Sequence, residues 1–227
     1  MKQLRTEFHC HTIFSKDSLV RPQAIVRAAR NKGLDRLIIT DHNSTAGALE
    51  ARELDPELVI VGEEIMTTQG ELLAAYVREE VPAWLEPRDA IQRLRAQGAF
   101  ISVSHPFDLM RGGHWELAAL LEIAPLVDAI ETFNSRCWDM HPNLLAREFA
   151  QAHNLAGTVG SDAHTTREVG RSYLSLDEFS SADGLQQVIH TARETVQLSS
   201  PFIHLSSRFA STMKNLGLVA QPETATH

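Results

Sequence analysis

Short apolar runs alternate with helical stretches along most of this sequence, and a histidine or an acidic residue follows nearly every apolar run. This alternation is typical of βα units, which assemble into a largely parallel sheet. Strands are predicted over residues 5–11, 36–40, 58–61, 71–77, 99–103, 127–130, 156–160, 173–176 and 195–198, and helices over 22–33, 44–53, 87–97, 115–123, 142–153 and 182–193. A turn at Gln69 and Gly70 predicts that the fourth strand returns as a hairpin. The chain is therefore predicted to have an α/β fold, although periodicity alone does not separate a barrel from an open sheet.

Length and composition favour one large domain. A chain of 227 residues with 43% hydrophobic and 22% charged residues suits a single α/β unit over residues 1–205. Residues 206–227 are predicted to form a tail that is partly helical or disordered, with one short helix at best and disorder over 221–227. No apolar run approaches the ~20 residues of a membrane span, and the polar N-terminus does not resemble a signal peptide. Two cysteines are too few for a disulfide framework, so we expect a cytoplasmic protein; the oligomeric state stays open.

The charge pattern narrows the class of ligand. The net charge is −8, and the sequence contains no cluster of lysines and arginines. An extended nucleic-acid surface with many phosphate contacts is therefore not expected. A small phosphorylated molecule can still bind to an acidic protein if bound divalent metals make the site itself positive.

The first predicted strand ends in the sequence His9-Cys10-His11. Side chains alternate between the two faces of a strand, so His9 and His11 project together while Cys10 points the other way. Two imidazoles on one face, about 7 Å apart along the chain, are able to hold one metal ion. The alternative is a polar strand face with two histidines that only form hydrogen bonds.

Similar residues recur where the later strands end. These residues are Asp41, His42, Glu63, Glu64, His105, Glu131, Asp162 and His164. Because the carboxyl ends of parallel strands lie at one edge of a sheet or one mouth of a barrel, we expect these side chains to converge. Their recurrence favours a metal site over scattered loop residues.

The order of these motifs identifies a family resemblance. The sequence contains His-x-His, Asp-His, Gly-x-Glu, His-Pro, Glu-x-x-Asn and Ser-Asp-Ala-His in this order, over about residues 5–200. This pattern resembles the PHP (polymerase and histidinol phosphatase) domain family of metal-dependent phosphoesterases. The resemblance implies a distorted (β/α)7 barrel with two or three divalent metal ions at its C-terminal mouth.

The resemblance also implies a role for each matching residue. The implied metal ligands are His9, His11 and Asp162 at a first position, Glu64 as a bridging carboxylate, His105 at a second position, and Asp17, His42 and His164 at a third. Glu71 stands where many small members place a histidine, and it is a possible oxygen ligand in its place. Glu131 is a further possible ligand. Glu63 is expected on the opposite strand face or behind the ligands.

Imidazole and carboxylate ligands without thiolate suit Mn²⁺, Zn²⁺ or Fe²⁺. A carboxylate that bridges two such ions holds them about 3.5–4 Å apart with a hydroxide between them, which is able to attack phosphorus in line. The sequence therefore predicts a phosphoesterase that hydrolyses a small phosphorylated metabolite or nucleotide, whether monoester or diester. Two alternatives remain: hydrolysis of an amide-type bond by the same chemistry, and a non-catalytic accessory module.

Further residues are expected to assist the reaction. Arg136, which follows the strand end at Glu131, is the first candidate for a residue that binds the substrate phosphate. The candidates ranked after it are Arg171, Arg111 and Arg167. The alternative for each arginine is a solvated surface charge. Asp41 is expected to orient a ligand imidazole. His114 and His141, in loops near the predicted mouth, are candidates for proton delivery to the leaving group.

Overall fold

The computed structural model of the protein describes residues 3–219. The strands are β1 (Gln3–Glu7), β2 (Arg36–Ile39), β3 (Val59–Met66), β4 (Glu71–Ala75), β5 (Phe100–Val103), β6 (Ala129–Asn134), β7 (Ala156–Gly160), β8 (Tyr173–Asp177) and β9 (Arg193–Thr195). The helices are α1 (Pro22–Asn31), α2 (Ala46–Leu54), α3 (Pro87–Ala96), α4 (Leu117–Ile123), α5 (His141–Ala152), α6 (Ala182–Val188) and α7 (Ile203–Asn215).

The strands form one sheet in the order β7-β6-β5-β4-β3-β2-β1-β8-β9. A bridge between Cys10 and Ala163 brings the end of β7 beside the end of β1 and nearly closes β1–β7 into a barrel. The barrel fold expected from the sequence is confirmed. The described strands number nine rather than seven, because β8 and β9 add to the outer side of β1 in antiparallel orientation.

Strand direction decides which residues reach the mouth of the barrel. Most neighbouring strands of the barrel are parallel, so they end at the same mouth. The hairpin strand β4 is antiparallel to both β3 and β5. Its first residue, Glu71, therefore lies at the end where the other strands finish.

Apolar side chains cover both faces of the sheet. Along β2, Leu37 and Ile39 belong to a core between the sheet and the helices, whereas Ile38 packs with Leu4 and Phe100 in a second cluster. Burial on both faces explains why this strand is a continuous apolar run and does not alternate with polar residues. Among the described residues, no helix has the length and apolar character needed to cross a bilayer.

The end of the chain differs most from the sequence-based prediction. Helix α7 runs over Ile203–Asn215, so the predicted boundary at residue 205 falls inside a helix of 13 residues. Two of its apolar residues, Leu205 and Phe209, are exposed to solvent, as is Phe202 just before the helix. The usual inward apolar pattern that indicates a core helix is therefore missing. The predicted disorder over 221–227 lies outside the described residues.

The core predicts a measurable difference between two leucines. Leu37 in β2 is fully buried, whereas Leu54 at the end of α2 is 49% exposed. Leu37→Ala is expected to lower the free energy of unfolding by about 2–5 kcal/mol, because it leaves a cavity in packed surroundings. Leu54→Ala should lower it by less than about 1 kcal/mol. Urea denaturation measures both, and equal losses would show that β2 is not part of the core.

Candidate metal centre

The predicted ligands converge at the mouth of the barrel. His9 and His11 follow β1, His42 follows β2, Glu64 lies in β3, His105 follows β5, and Asp162 and His164 follow β7. Three overlapping groups have donor atoms that all lie within 4.8 Å of one another: His9, His11 and Glu64; His11, His42 and His164; and His42, Glu64 and Glu71. The structure therefore brings the imidazoles of distant strand ends into one buried cluster.

The imidazoles of His9 and His11 point their Nε2 atoms at each other, at a distance of 3.1 Å. Nδ1 of His9 lies 2.9 Å from Glu131 Oε1, and Nδ1 of His11 lies 3.0 Å from Ser15 Oγ. Ser15 donates its own hydrogen to Asp41, so it must accept the hydrogen on His11 Nδ1. Both Nδ1 atoms therefore carry hydrogen, and at most one proton fits between the two Nε2 atoms.

Two buried carboxylate oxygens face these nitrogens without a hydrogen-bond partner, namely Glu64 Oε2 and Asp162 Oδ1. Glu64 Oε2 lies 3.3 Å from His9 Nε2, 3.4 Å from His11 Nε2 and 3.0 Å from His42 Nδ1. Its second oxygen accepts a hydrogen bond of 2.6 Å from Ser104. Unpartnered buried oxygens beside converging imidazoles are the donor set that a divalent cation satisfies.

Glu71, the possible oxygen ligand of the sequence analysis, lies beside two imidazoles of the cluster. Its Oε2 lies 3.5 Å from His105 Nε2, and its Oε1 lies 3.7 Å from His42 Nδ1. Nε2 of His105 is also 3.2 Å from Glu64 Oε1. The carboxylate of Glu71 thus lies close to the imidazoles of His105 and His42.

Asp17 closes the remaining side of the cluster. Its Oδ2 lies 3.1 Å from His164 Nε2, and its Oδ1 lies 3.6 Å from His42 Nε2. Oδ1 is buried and has no hydrogen-bond partner. The three residues implied for the third position, Asp17, His42 and His164, therefore do lie together.

Burial and neighbouring charge set the protonation of the cluster. Burial alone would lower the pKa of His9, but the carboxylates of Glu64, Asp162 and Glu131 outweigh it and raise that pKa well above its usual range. Burial likewise would lower the pKa of His42, but the carboxylates of Glu64 and Asp17 outweigh it and raise that pKa well above its usual range. Burial, together with the charges of His164 and His42, lowers the pKa of His11 to about 3. A divalent cation would therefore replace protons held on His9 and His42.

Glu131 has a different place from the one expected, whereas Glu63 lies outside the donor groups, as expected. Glu131, a possible ligand, uses one oxygen for His9 Nδ1, while the other accepts hydrogen bonds from His105 N (2.9 Å) and Asn134 Nδ2 (3.1 Å). Both oxygens are occupied, so it orients ligands and does not join the donor groups. Glu63, beside the bridging carboxylate, accepts a hydrogen bond from Val81 N, and burial raises its pKa to about 8.

Asp41 does not touch an imidazole, contrary to expectation. The side chain is fully buried, with one oxygen accepting from Thr12 N and Ser15 Oγ and the other from Thr12 Oγ1, each at 2.6 Å. It therefore fixes the loop after β1 and reaches His11 only through Ser15. Such a buried position leaves it no access to a substrate.

The arginines are distributed differently from the prediction. Arg136 is buried and donates to Ser207 Oγ (2.7 Å) and Glu168 Oε1 (3.3 Å), so it is not a free clamp. Arg171 donates to the carbonyl of Leu198. Arg111 donates to the ligand carboxylate of Asp162 and, at 3.1 Å, to Asp108. Of these three arginines, Arg111 is the one whose guanidinium contacts a ligand carboxylate.

Several supporting residues escape sequence reasoning. Ser15 and Ser104 hold His11 and Glu64 by hydrogen bonds, and Asp108 holds Arg111. Their only signal is proximity along the chain to a ligand motif. Gly113 packs against Glu71 so closely that a Cβ there would lie 1.9 Å from its Oε2. The loop that carries Arg111 and His114 therefore lies directly on the cluster.

Similar proteins share this fold. A family model described as PHP-associated matches residues 140–193. An uncharacterised protein, MJ0417, of Methanocaldococcus jannaschii is 36% identical over 178 residues, which cover 77% of this chain and 71% of the relative.

Two solved structures also resemble the chain. A two-domain protein from Bacteroides vulgatus, which contains a predicted PHP-like metal-dependent phosphoesterase, has a TM-score of 0.69 at 20% identity; the match covers 86% of this chain and 65% of that one. The lesion-specific endonuclease PfuEndoQ from Pyrococcus furiosus has a TM-score of 0.58 at 14% identity, with 88% and 60% covered. The chain thus spans less than two thirds of each protein, and these identities show the fold alone.

Metal binding is expected to release protons. At pH 7 the raised pKa values of His9 and His42 keep both imidazoles protonated, and a cation must displace those protons. Affinity for Mn²⁺ should therefore rise with pH, and calorimetry at pH 7 in two buffers of different ionisation enthalpy should show release of about one proton or more per chain.

A matched pair of variants tests the source of these protons. His42→Ala is expected to lower the number of protons released, whereas His190→Ala, at an exposed histidine far along the chain, should leave it unchanged. Metal binding without proton release would contradict the assignment.

Proposed function

Because the chain belongs to the PHP domain family, we propose that it is a metal-dependent phosphoesterase that hydrolyses a small phosphorylated metabolite or nucleotide. The observation that carries this proposal is the cluster around Glu64 Oε2, a buried and unpartnered oxygen within 3.4 Å of three imidazole nitrogens. A structural role alone does not account for so many buried ionisable groups at one point.

The donors suit two or three ions. His9, His11, Glu64 and Asp162 would hold the first, Glu64, Glu71 and His105 the second, and Asp17, His42 and His164 the third. Nitrogen and oxygen donors without thiolate fit Mn²⁺, Zn²⁺ or Fe²⁺. Both cysteines are buried, and Cys10 donates to the carbonyl of Ile38, so neither joins the donors. Bound ions of this kind lower the pKa of water and neutralise charge on a phosphoryl group.

The residues around the donors prepare the site before substrate arrives. Glu131 fixes the ring of His9 and Ser15 that of His11, so each imidazole presents Nε2 towards Glu64. Ser104 turns Glu64 so that its free oxygen faces the three nitrogens. Such hydrogen bonds fix the tautomer and direction of a ligand, and they remove the cost of ordering it during the reaction.

Arg111 is the proposed phosphate-binding residue. The guanidinium of Arg111 extends from a loop and contacts Asp162. The side chain of Arg111 is 22% exposed, whereas that of Arg136 is 4% exposed. A cation of this geometry binds two oxygens of a phosphate at once. Bound ions would neutralise the charge of Asp162, and the guanidinium of Arg111 would then be able to contact a substrate phosphate.

His114 is our candidate for proton delivery to the leaving group. Its Nδ1 lies 2.6 Å from the carbonyl of Arg111, which fixes the ring in the loop beside the cluster. The Gly113 segment of the same loop packs on Glu71. The loop therefore places the proposed phosphate-binding residue and the proposed proton donor together.

A small substrate is favoured over nucleic acid. The net charge of −8 and the lack of a basic cluster leave a phosphate backbone little to bind outside the site. Arg111 also favours phosphate over a neutral amide. Hydrolysis of an amide-type bond therefore remains the second hypothesis, and an accessory module without activity is the third.

The test is a substrate panel with defined metals. Protein loaded separately with Mn²⁺, Zn²⁺ or Fe²⁺ is assayed with phosphomonoesters, phosphodiesters, short DNA and amides. We expect phosphate release from small esters, and Glu64→Gln should abolish it together with metal binding. A fully loaded protein that cleaves only amides would establish the second hypothesis, and one that cleaves nothing would favour the third.

The role of Arg111 predicts a selective defect. Arg111→Met should lower kcat/KM for phosphate esters by about 10–100-fold, the worth of a charge-assisted hydrogen bond, while the number of bound ions stays the same. Arg93→Met, at an exposed arginine on α3, is the matched control and should behave as wild type. Unchanged kcat/KM in Arg111→Met would remove this residue from phosphate binding.

A further inference from the structure

Helix α7 exposes its largest apolar side chains to solvent, although Ala210 and Lys214 on the same helix are buried. Phe202 just before the helix, Leu205 and Phe209 within it, and Leu216 just after it are between 59% and 78% exposed. In contrast, Lys214 is 8% exposed, although lysine is among the residues least often buried. Burial of these large apolar side chains therefore does not hold the helix in place, and its polar contacts contribute to its position.

The first two contacts tie α7 to the segment that follows β6. The ring of His204 stacks on Trp138 with a centroid distance of 4.6 Å and an angle of 13° between the planes. Ser207 accepts a hydrogen bond of 2.7 Å from Arg136 Nη2. Arg136 also reaches the backbone carbonyl of Asp162.

The third contact ties α7 to the loop that follows β1. Nζ of Lys214 donates hydrogen bonds to the carbonyl oxygens of Ile13 and Ser15. Because β7 lies between β6 and β1 around the barrel, α7 spans the rim above the strand end that carries Asp162 and His164.

The loop held by Lys214 carries Asp17. The side chain of Ser15 is already fixed by Asp41, so His11 keeps its support without Lys214. The carboxylate of Asp17 has only His42 and His164 as close partners among the described residues, and one of its oxygens has no hydrogen bond. Its position therefore depends on the backbone of the loop, and the two carbonyls bound by Lys214 lie just before it.

We propose that Lys214 is a positioning residue, which reaches across the rim from the C-terminal helix and fixes the Ile13–Asp17 loop so that Asp17 completes the third metal position. This inference rests on the metal centre of the proposed function. If Lys214 has this role, helix α7 is part of the metal site. The ion held by Asp17, His42 and His164 should depend on Lys214, whereas the ion held by His9, His11 and Glu64 should not.

The test is metal stoichiometry and affinity, measured by Mn²⁺ titration and elemental analysis of the full chain. Lys214→Met is expected to weaken the ion at the Asp17 position, identified as the ion that Asp17→Asn also weakens, by about 10–100-fold, as loss of support behind a ligand does, while the other ions keep their affinity. Asp17→Asn should lose the same ion, and the double variant should lose nothing further. Lys214→Arg should restore binding, because a guanidinium also donates to two carbonyls.

Arg208→Met is the matched control, since Arg208 is an exposed cation on the same helix. Circular dichroism and thermal unfolding verify that each variant is folded. Should Lys214→Met not fold, Lys214→Gln, which is polar but one bond shorter and does not reach both carbonyls, replaces it with the same expectation. Amide hydrogen exchange over residues 12–18, measured without metal, should become faster in the Lys214 variant and stay unchanged in the Arg208 variant.

The outcomes separate this inference from the proposed function. Wild-type protein that binds no divalent ion would overturn both. Wild-type protein that binds its ions, with Lys214→Met or Lys214→Gln binding the same number at the same affinities, would overturn the role of Lys214 alone. Equal loss of every ion in Lys214→Met would also overturn it, because the proposed effect is confined to the Asp17 position.

Discussion

The structure depends on the burial of several carboxylates and imidazoles around one oxygen of Glu64. Removing such charges from water is expensive unless an opposite charge or a full set of hydrogen bonds replaces the solvent. Here Glu64, Asp162 and Asp17 each retain a buried oxygen without a hydrogen bond. Without metal, protons on His9 and His42 and the guanidinium of Arg111 supply the compensating charge. Divalent cations bound beside Glu64 would supply this positive charge and would also bind the carboxylate oxygens that have no hydrogen bond.

The barrel makes this concentration of donors possible. Parallel strands deliver His9, His42 and Asp162 to one mouth, each from a different part of the chain. The antiparallel strand β4 adds Glu71 from its beginning rather than its end, because its direction is reversed. Outside the donors lies a layer of residues that only orient them, including Ser15, Ser104 and Glu131. The loop with Arg111 and the helix α7 then cover different parts of the rim.

Much of this arrangement is predictable from the sequence. Alternating strands and helices predict the α/β fold, and ligand-type residues at successive strand ends predict that these side chains converge. The barrel itself is implied by the resemblance of the ordered motifs to the PHP family. The roles of arginines and second acidic residues are not predictable in this way. Arg136 and Arg111 are both near ligand motifs in the sequence. Arg136 nevertheless donates its hydrogen bonds to Glu168 and Ser207, which are distant along the chain. Arg111, in contrast, contacts Asp162 at the site. Helix α7 is missed because its large side chains Leu205 and Phe209 face solvent while Lys214 is buried, which weakens the pattern that indicates a packed helix.

The central claim is that the cluster around Glu64 holds divalent cations. Crystals of the protein grown with Mn²⁺, with diffraction recorded on both sides of the manganese absorption edge, locate such ions directly. The account predicts at least two anomalous peaks, one among His9, His11 and Asp162 and one among His105 and Glu71, with Glu64 between them. A map without peaks in this cluster, with the Nε2 atoms of His9 and His11 still facing each other at hydrogen-bond distance, would contradict it.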